Sequence, residues 1–385
     1  MSLIPLRPIL DATDKYNYAQ GAFNVNACAQ AEAVIRIHEI FRSPAILQGA
    51  DLANGFMGGR IDFMNATIDD KIKGAKNIAN AVIKAAKDSP IPIALHLDHG
   101  RDFESVKAAI SGGYTSVMID GSSLPLEENI ELTREVVKYA HERGVTVEGE
   151  LGVLAGVEDH VFSANSTYTN PLDALRFFKE TKCDALAISY GTMHGANKGK
   201  NAVVRKEIAI AIKELLLHEG IHGVLVSHGS STVPKYIVEE INALGGDIKD
   251  AYGIPLNQLI EVSHLGIGKI NVDTDIRLAV TRNVREFFEK YPEMKKDQYI
   301  SKVWELLNAN PKAFDPRVYL PGIMDSVMYG NIPSDSVARL ISVIKDGVME
   351  VVGTLIVEFG QVGKAPLVKL SSLDQMAEFY KKEGI

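Results

Sequence analysis

Eight short apolar runs, each followed by residues at helical spacing, constrain this chain more than any other feature. The runs cover 21–26 (GAFNVN), 44–50 (PAILQGA), 91–100 (IPIALHLDHG), 116–121 (SVMIDG), 145–152 (VTVEGELG), 184–192 (DALAISYGT), 223–231 (GVLVSHGSS) and 267–275 (IGKINVDTD). They are nearly continuous in Val, Ile, Leu and Ala, as a parallel strand covered on both faces requires. Residues 27–42, 70–88, 129–143, 206–219 and 233–244 read as the intervening amphipathic helices. Eight β-then-α units in order predict an α/β fold, a (β/α)8 TIM barrel over residues 1–290. An open doubly wound sheet is the alternative, but its usual GxGxxG after the first strand is missing. Helical patterns at 276–290, 297–308, 335–351 and 372–382 flank a proline-containing, irregular stretch at 310–333. Residues 291–385 thus read as a C-terminal helical extension, part of the same domain or of an oligomer interface.

Gly, Asp, His and Asn gather at the C-terminal ends of the runs, the end that carries the chemistry of such barrels. Three histidines there each adjoin a glycine: His99, His194 and His228. Three neutral imidazoles with an open fourth position make a catalytic zinc site, although cobalt or iron would also bind. Asp98, beside the first, is placed to move protons. Read alone, HLDHG equally describes a polar layer filling the barrel mouth, with His96 orienting a neighbour. YGTMHG (190–195) and SHGSS (227–231) leave backbone amides open at strand-to-helix turns, where an anion such as phosphate binds. Each motif alone is only a tight turn; both at one barrel end favour a phosphate site. Glu148 and Glu150 end the fifth run and face the same way, so at least one is expected merely to solvate the mouth. Glu158 follows in a glycine-containing loop, where a mobile acid/base residue could sit. Asn271 could donate to a developing oxyanion. Asp273 or Thr274 could simply cap the following helix. Lys198 falls in a loop beside the predicted phosphate nest.

Composition narrows the class. The net charge of −8 argues against a general nucleic-acid binder. Only two cysteines, Cys28 and Cys183, are present, and both read as buried, reduced and structural. With no signal-peptide core and no uncharged run long enough to span a bilayer, a cytoplasmic protein is expected.

In order, AFNVN (22–26), LDHG (97–100), ELG (150–152), YGTMHG, SHGSS and NVDTD (271–275) resemble the class II, metal-dependent fructose-bisphosphate aldolases. FDPRVYLPG and FGQVG (359–363) resemble that family's long-tailed subgroup. The resemblance implies a zinc-dependent, reversible retro-aldol cleavage of fructose 1,6-bisphosphate. It implies His99, His194 and His228 as metal ligands, with Glu150 as an alternate. Asp98 would take the C4-hydroxyl proton, Glu158 would exchange the proton at the enediolate carbon, and Asn271 would hold the enediolate oxygen. Gly195, Lys198, Gly229, Ser231, Asp273 and Thr274 would line the dihydroxyacetone phosphate end. A monovalent cation near the phosphate and a homodimer or homotetramer are further implications.

Some positions depart from the family. A Gln-x-Ser step in the second strand reads Gln48-Gly49-Ala50 here, followed by Asp51. RFExFG reads LIVEFG, so Leu355 stands where arginine would, and the loop TGGEED reads LAGVED. These changes weaken expected contacts to the second phosphate, unless Arg60 or Arg101 supplies the charge. Tagatose bisphosphate, or a ketose phosphate yielding a non-phosphorylated aldehyde, is therefore the alternative substrate. A zinc hydrolase on the same barrel is less consistent, because the first strand lacks its His-x-His. A non-catalytic sugar-phosphate binder would not require Asp98.

Overall fold

A computed structural model describes residues 3–154, 156–158, 161–163, 167–200 and 202–385, with 156–158 and 161–163 as backbone only. The strands are β1 (Gln20–Asn24), β2 (Ala45–Ala50), β3 (Ile93–Gly100), β4 (Ser116–Ile119), β5 (Thr146–Leu151), β6 (Gly156–Glu158), β7 (Val161–Ser163), β8 (Ala185–Ile188), β9 (Val224–Ser227) and β10 (Ile267–Val272). All but β6 and β7 form one closed parallel barrel in sequence order, β10 pairing back onto β1. All eight expected strands are present, and the open-sheet alternative is excluded. The loop expected at Glu158 is instead the antiparallel hairpin β6–β7, in which Glu158 pairs with Val161.

The barrel interior has two levels. Ala22, Ile46, Ala94, Met118, Ala185, Ala187, Val224 and Val226 fill the lower one. Helix α1 (Arg7–Tyr16) closes it from below with Leu6, Ile9 and Leu10. Above them the inward positions turn polar, with Asn24, Gln48, His96, Asp98, Glu148, Glu150, His228, Lys269 and Asn271 all buried. Leu47, Leu95, Val117, Val147 and Leu186 lie on the outer face, under the helices.

The outer ring includes α2 (Cys28–Phe41), α3 (Asp51–Met57), α4 (Ile68–Ala85), α5 (Phe103–Gly112), α6 (Leu126–His141), α7 (Pro171–Thr181), α8 (Lys206–His218), α9 (Lys235–Ala243), α10 (Leu256–Ser263) and α11 (Thr274–Lys290). Helix α4 begins at a capping box, Thr67 and Asp70 satisfying each other's backbone amides. Beyond α11 come α12 (Ser301–Ala309), α13 (Met324–Tyr329), α14 (Asp335–Glu358) and α15 (Leu373–Glu383). The stretch 310–333 is more regular than expected, holding two 3-10 turns and α13. Helix α14 runs past residue 351 because its apolar face continues: Leu340, Ile344, Val348, Val352 and Ile356 are buried against α2 and α11. Burying each such side chain contributes roughly 1.5–3 kcal/mol.

Helix α15 meets the barrel at the end opposite the polar level. Asp184, at the start of β8, is fully buried. It accepts hydrogen bonds from Arg7 Nη1 (2.7 Å) and Tyr380 Oη (2.9 Å) on one oxygen. The other oxygen faces His141 Nε2 at 3.0 Å and accepts from the Val147 amide at 2.8 Å. Tyr380 stacks flat on His141, with centroids 3.6 Å apart. Both cysteines are buried and unbonded to each other. No helix among the described residues is long and apolar enough to cross a membrane.

Candidate active site and metal centre

Asp98 and His99 are neighbours in sequence, yet both reach the barrel mouth. Alternation along a strand would send them to opposite faces. The β3–β4 register shifts between Leu97 and Gly100, and His99 takes a left-handed φ of 49°, which turns its ring inward. His99 Nε2 then lies 3.1 Å from His228 Nδ1, and the His194 ring centroid lies 5.2 Å from that of His99. Two close approaches of glycine backbone bring these loops together. Gly229, at φ 59°, packs on Met193 so tightly that a Cβ would sit 2.5 Å from its carbonyl oxygen. Gly191, at φ 111°, packs on Val203 in the same way.

The tautomers follow from what the other ring atoms meet. His228 Nε2 lies 2.7 Å from Glu148 Oε1. An ionised carboxylate only accepts, so Nε2 carries the proton and Nδ1 presents its lone pair. His99 Nδ1 faces Asp120 Oδ2 at 3.4 Å, which turns the lone pair of Nε2 toward His228. Two imidazole lone pairs thus converge across 3.1 Å. Tetrahedral zinc with bonds of 2.0–2.1 Å separates two nitrogen ligands by roughly 3.3 Å. The donor set therefore fits a shared cation. Asp98, His99 and His228 offer ligand atoms within 4.8 Å of one another, as do His99, Asp120 and Glu150. His194 joins them through its ring contact with His99, not through either of these tight groups.

Asp98 is held by amide donors on both of its oxygens. It accepts from Asn24 Nδ2 (3.0 Å) and Gln48 Nε2 (3.2 Å) on Oδ2, and from Asn271 Nδ2 (3.0 Å) on Oδ1. Beneath it, Lys269 Nζ donates to Glu148 Oε2 at 2.8 Å, and both side chains are buried. Burial opposes the charge on Glu148, but Lys269 and His228 overcome it and hold the carboxyl below its ordinary range. Burial, with Asp120 nearby, pushes Glu150 well above that range. Burial drives His96 far down, and Lys269 adds to the effect. The expectation that Glu148 or Glu150 merely solvates the mouth is wrong: both are about 1% exposed. Glu148 has an internal counter-ion, and Glu150 faces His99 Nδ1 at 3.9 Å.

The loops after β8, β9 and β10 meet beside these groups. Gly195 and Gly229 have left-handed φ values of 82° and 59°. Ser231 Oγ accepts from the Thr274 amide at 3.1 Å. Lys198 is buried, not solvated, and its ammonium donates to the Met193 carbonyl. Asp275 pins the β9 loop by accepting from the Thr232 amide and hydroxyl (both 2.8 Å) and the Val233 amide (2.7 Å). Asp273 precedes α11 without capping it through its side chain. It pairs instead with Arg277, which reaches Asp315 at 2.9 Å. Arg317 also pairs with Asp315, at 2.8 Å, and lies over the Phe63 ring. The backbone of Glu158 is in β6; its side chain, and all of Asp159, lie outside the described residues.

Asp120, Lys269, Arg277, Asp315 and Arg317 were not singled out by sequence reasoning. Asp120 had a signal, since it ends the fourth apolar run as the histidines end theirs. At the departures, Asp51 is committed to Lys71 at 2.5 Å, Ala50 and Leu355 are buried, and Arg60 and Arg101 are exposed.

Comparison with known proteins agrees with this geometry. Residues 4–330 match the family model "Fructose-bisphosphate aldolase class-II". A fructose-bisphosphate aldolase of Giardia intestinalis is 36% identical over 383 residues, covering 99% of this chain and 100% of that protein. One from Thermus caldophilus is 38% identical over 312 residues, 80% of this chain and 89% of that protein. Among solved structures, the YdjI aldolase of Escherichia coli K12 superposes with a TM-score of 0.64 at 24% identity, covering 94% of this chain and 99% of that one. That last likeness shows the fold alone. The polar mouth of this barrel and the match along almost the whole sequence place the chain in the class II fructose-bisphosphate aldolase family, a family of carbon–carbon lyases.

Proposed function

We propose that this protein is a zinc-dependent aldolase that reversibly cleaves fructose 1,6-bisphosphate to dihydroxyacetone phosphate and glyceraldehyde 3-phosphate. The observation that carries the reading is a fully supported carboxylate, Asp98, beside two converging imidazole nitrogens. His99, His194 and His228 would hold the zinc, with Glu150 as an alternate ligand. When bound, zinc supplies Lewis-acid stabilisation of negative charge developing at the substrate carbonyl.

The chain's own groups do the rest. Asp98 removes the C4-hydroxyl proton in cleavage and returns it in condensation. Its three amide donors keep it aimed, and none of them is a base that competes for the proton. Asn271 has its amide beside both Asp98 and His228, where it can steady the oxygen that gains charge. Glu158 would exchange the proton at the adjoining carbon. Gly195, Gly229, Ser231 and Thr274 would cradle the phosphate through amides and hydroxyls, with Lys198 supplying positive charge and Asp273 meeting the sugar. A monovalent cation beside the phosphate, a homodimer or homotetramer, and residues 291–385 as an extension of the barrel belong to the same reading.

The test is coupled-assay turnover of fructose 1,6-bisphosphate by zinc-loaded protein. Asp98→Asn is expected to lower kcat by about 10²–10⁴-fold while keeping one equivalent of zinc. No cleavage of this substrate, with cleavage of another ketose phosphate, would replace the reading by its alternative. That alternative, tagatose bisphosphate or a substrate giving a non-phosphorylated aldehyde, is favoured by one observation. The positions where a second phosphate would be met hold a buried Ala50 and a buried Leu355.

A further inference from the structure

A charge cluster directly beneath the imidazoles takes no part in the chemistry outlined above. Lys269 of β10 is 0% exposed, and its ammonium donates to Glu148 Oε2 at 2.8 Å. The second oxygen of Glu148 faces His228 Nε2 at 2.7 Å. His96 Nε2 stands 3.5 Å from Glu148 Oε2, and His96 Nδ1 is fixed 2.8 Å from Ser116 Oγ. His96 lies on β3, Glu148 on β5 and Lys269 on β10, and His228 directly follows β9, so the cluster ties together opposite sides of the barrel.

Stability alone does not account for it. A buried ion pair recovers its desolvation cost only with excellent geometry, and an apolar pair of the same volume often serves as well. What an apolar pair could not do is decide which nitrogen of His228 carries the proton.

We propose that Lys269 is a positioning residue for the metal centre: it holds Glu148, and Glu148 holds His228 with Nδ1 aimed at the cation. The inference rests on the zinc reading above. A carboxylate behind a metal-bound imidazole fixes its tautomer and ring plane and raises its basicity. Left without a partner on its far side, that carboxylate would be free to turn away from His228. Lys269 satisfies it from the far side. The ammonium and carboxylate offset each other's charge, and Glu148 keeps its second oxygen as an acceptor for His228.

The test is a double-mutant cycle read as zinc affinity, by competition with a chromophoric chelator, on the full-length protein. The members are wild type, Lys269→Met, Glu148→Gln and the double variant. Lys269→Met is expected to weaken zinc binding by about 10–100-fold. In the Glu148→Gln background the same change should alter it by less than about threefold, because the path through Glu148 is already gone. Cobalt-substituted Lys269→Met should also show an altered ligand-field spectrum. Equal losses in both backgrounds, or unchanged affinity in Lys269→Met, would overturn the inference. If Lys269→Met fails to fold, the neutral double variant against Glu148→Gln carries the comparison, and a difference above about threefold is then the overturning result. Wild-type protein that takes up no stoichiometric zinc would remove the metal reading, and this inference with it. Wild-type protein with one equivalent and no coupling would remove this inference alone.

Discussion

Adding one methyl group at Gly229 tests how the two histidine loops are held together. Gly229 has a φ of 59°, and a Cβ there would lie 2.5 Å from the Met193 carbonyl oxygen and 2.6 Å from its carbon. Ordinary contact begins near 3.4 Å, so the β8 and β9 loops must part by about 0.9 Å. The left-handed backbone adds roughly 1–2 kcal/mol of strain for alanine. His228 precedes Gly229 and His194 follows Met193, so the separation passes directly to two predicted ligands. A misplacement of about 1 Å near reacting groups can cost about 100-fold in rate, equivalent to about 2.7 kcal/mol. Gly229→Ala should therefore lower kcat/KM on fructose 1,6-bisphosphate by about 100-fold, weaken zinc, and lower Tm by a few degrees. Gly220→Ala is the control: its φ is 64°, but nothing lies within 4 Å of the added carbon. It should lose stability and keep zinc and turnover. Gly229→Ala with normal zinc affinity and turnover, or Gly220→Ala with equal catalytic loss, would refute the reasoning.

Three further outcomes follow from other parts of the molecule. Arg277→Leu removes the cation between Asp273 and Asp315 and should raise KM several-fold with less effect on kcat, measured by steady-state kinetics. Burial raises the pKa of Asp184, but His141, Arg7 and the Val147 amide overcome this and leave it depressed. A depressed folded pKa gives stability that is present above the unfolded value, near 4, and is lost as pH falls through the folded one. Wild-type Tm should accordingly drop with acidification below about pH 4; Asp184→Asn should cost about 3–5 kcal/mol at neutral pH and flatten that slope. Chelation should abolish turnover and lower Tm, since zinc at 100 times its Kd contributes about 2.7 kcal/mol.

The strands were legible because parallel strands buried on both faces leave a local mark, an unbroken apolar run. The histidines were legible because each closes such a run. Less legible were the features set by partners far along the chain. Lys269 looks like one polar residue in IGKINV until β10 curls round to face Glu148 of β5. Lys198 reads as a loop lysine because nothing nearby in sequence announces the Met193 carbonyl that receives it. The inward turn of His99 depends on a register shift against β4, and no pattern within HLDHG encodes it. The extent of α14 was missed for a simpler reason: its apolar face continues through Val352 and Ile356, beyond the window that defined it.

Arg7 and Tyr380 come from opposite ends of the sequence and share one oxygen of Asp184, which lies near the middle. Such a contact closes a very long loop, and the entropy of that closure must be offset before the contact stabilises anything. Until α15 docks, the barrel floor has a carboxylate holding only part of its complement of donors. A chain clipped before α15 loses the Tyr380 donor and leaves that side of Asp184 uncovered.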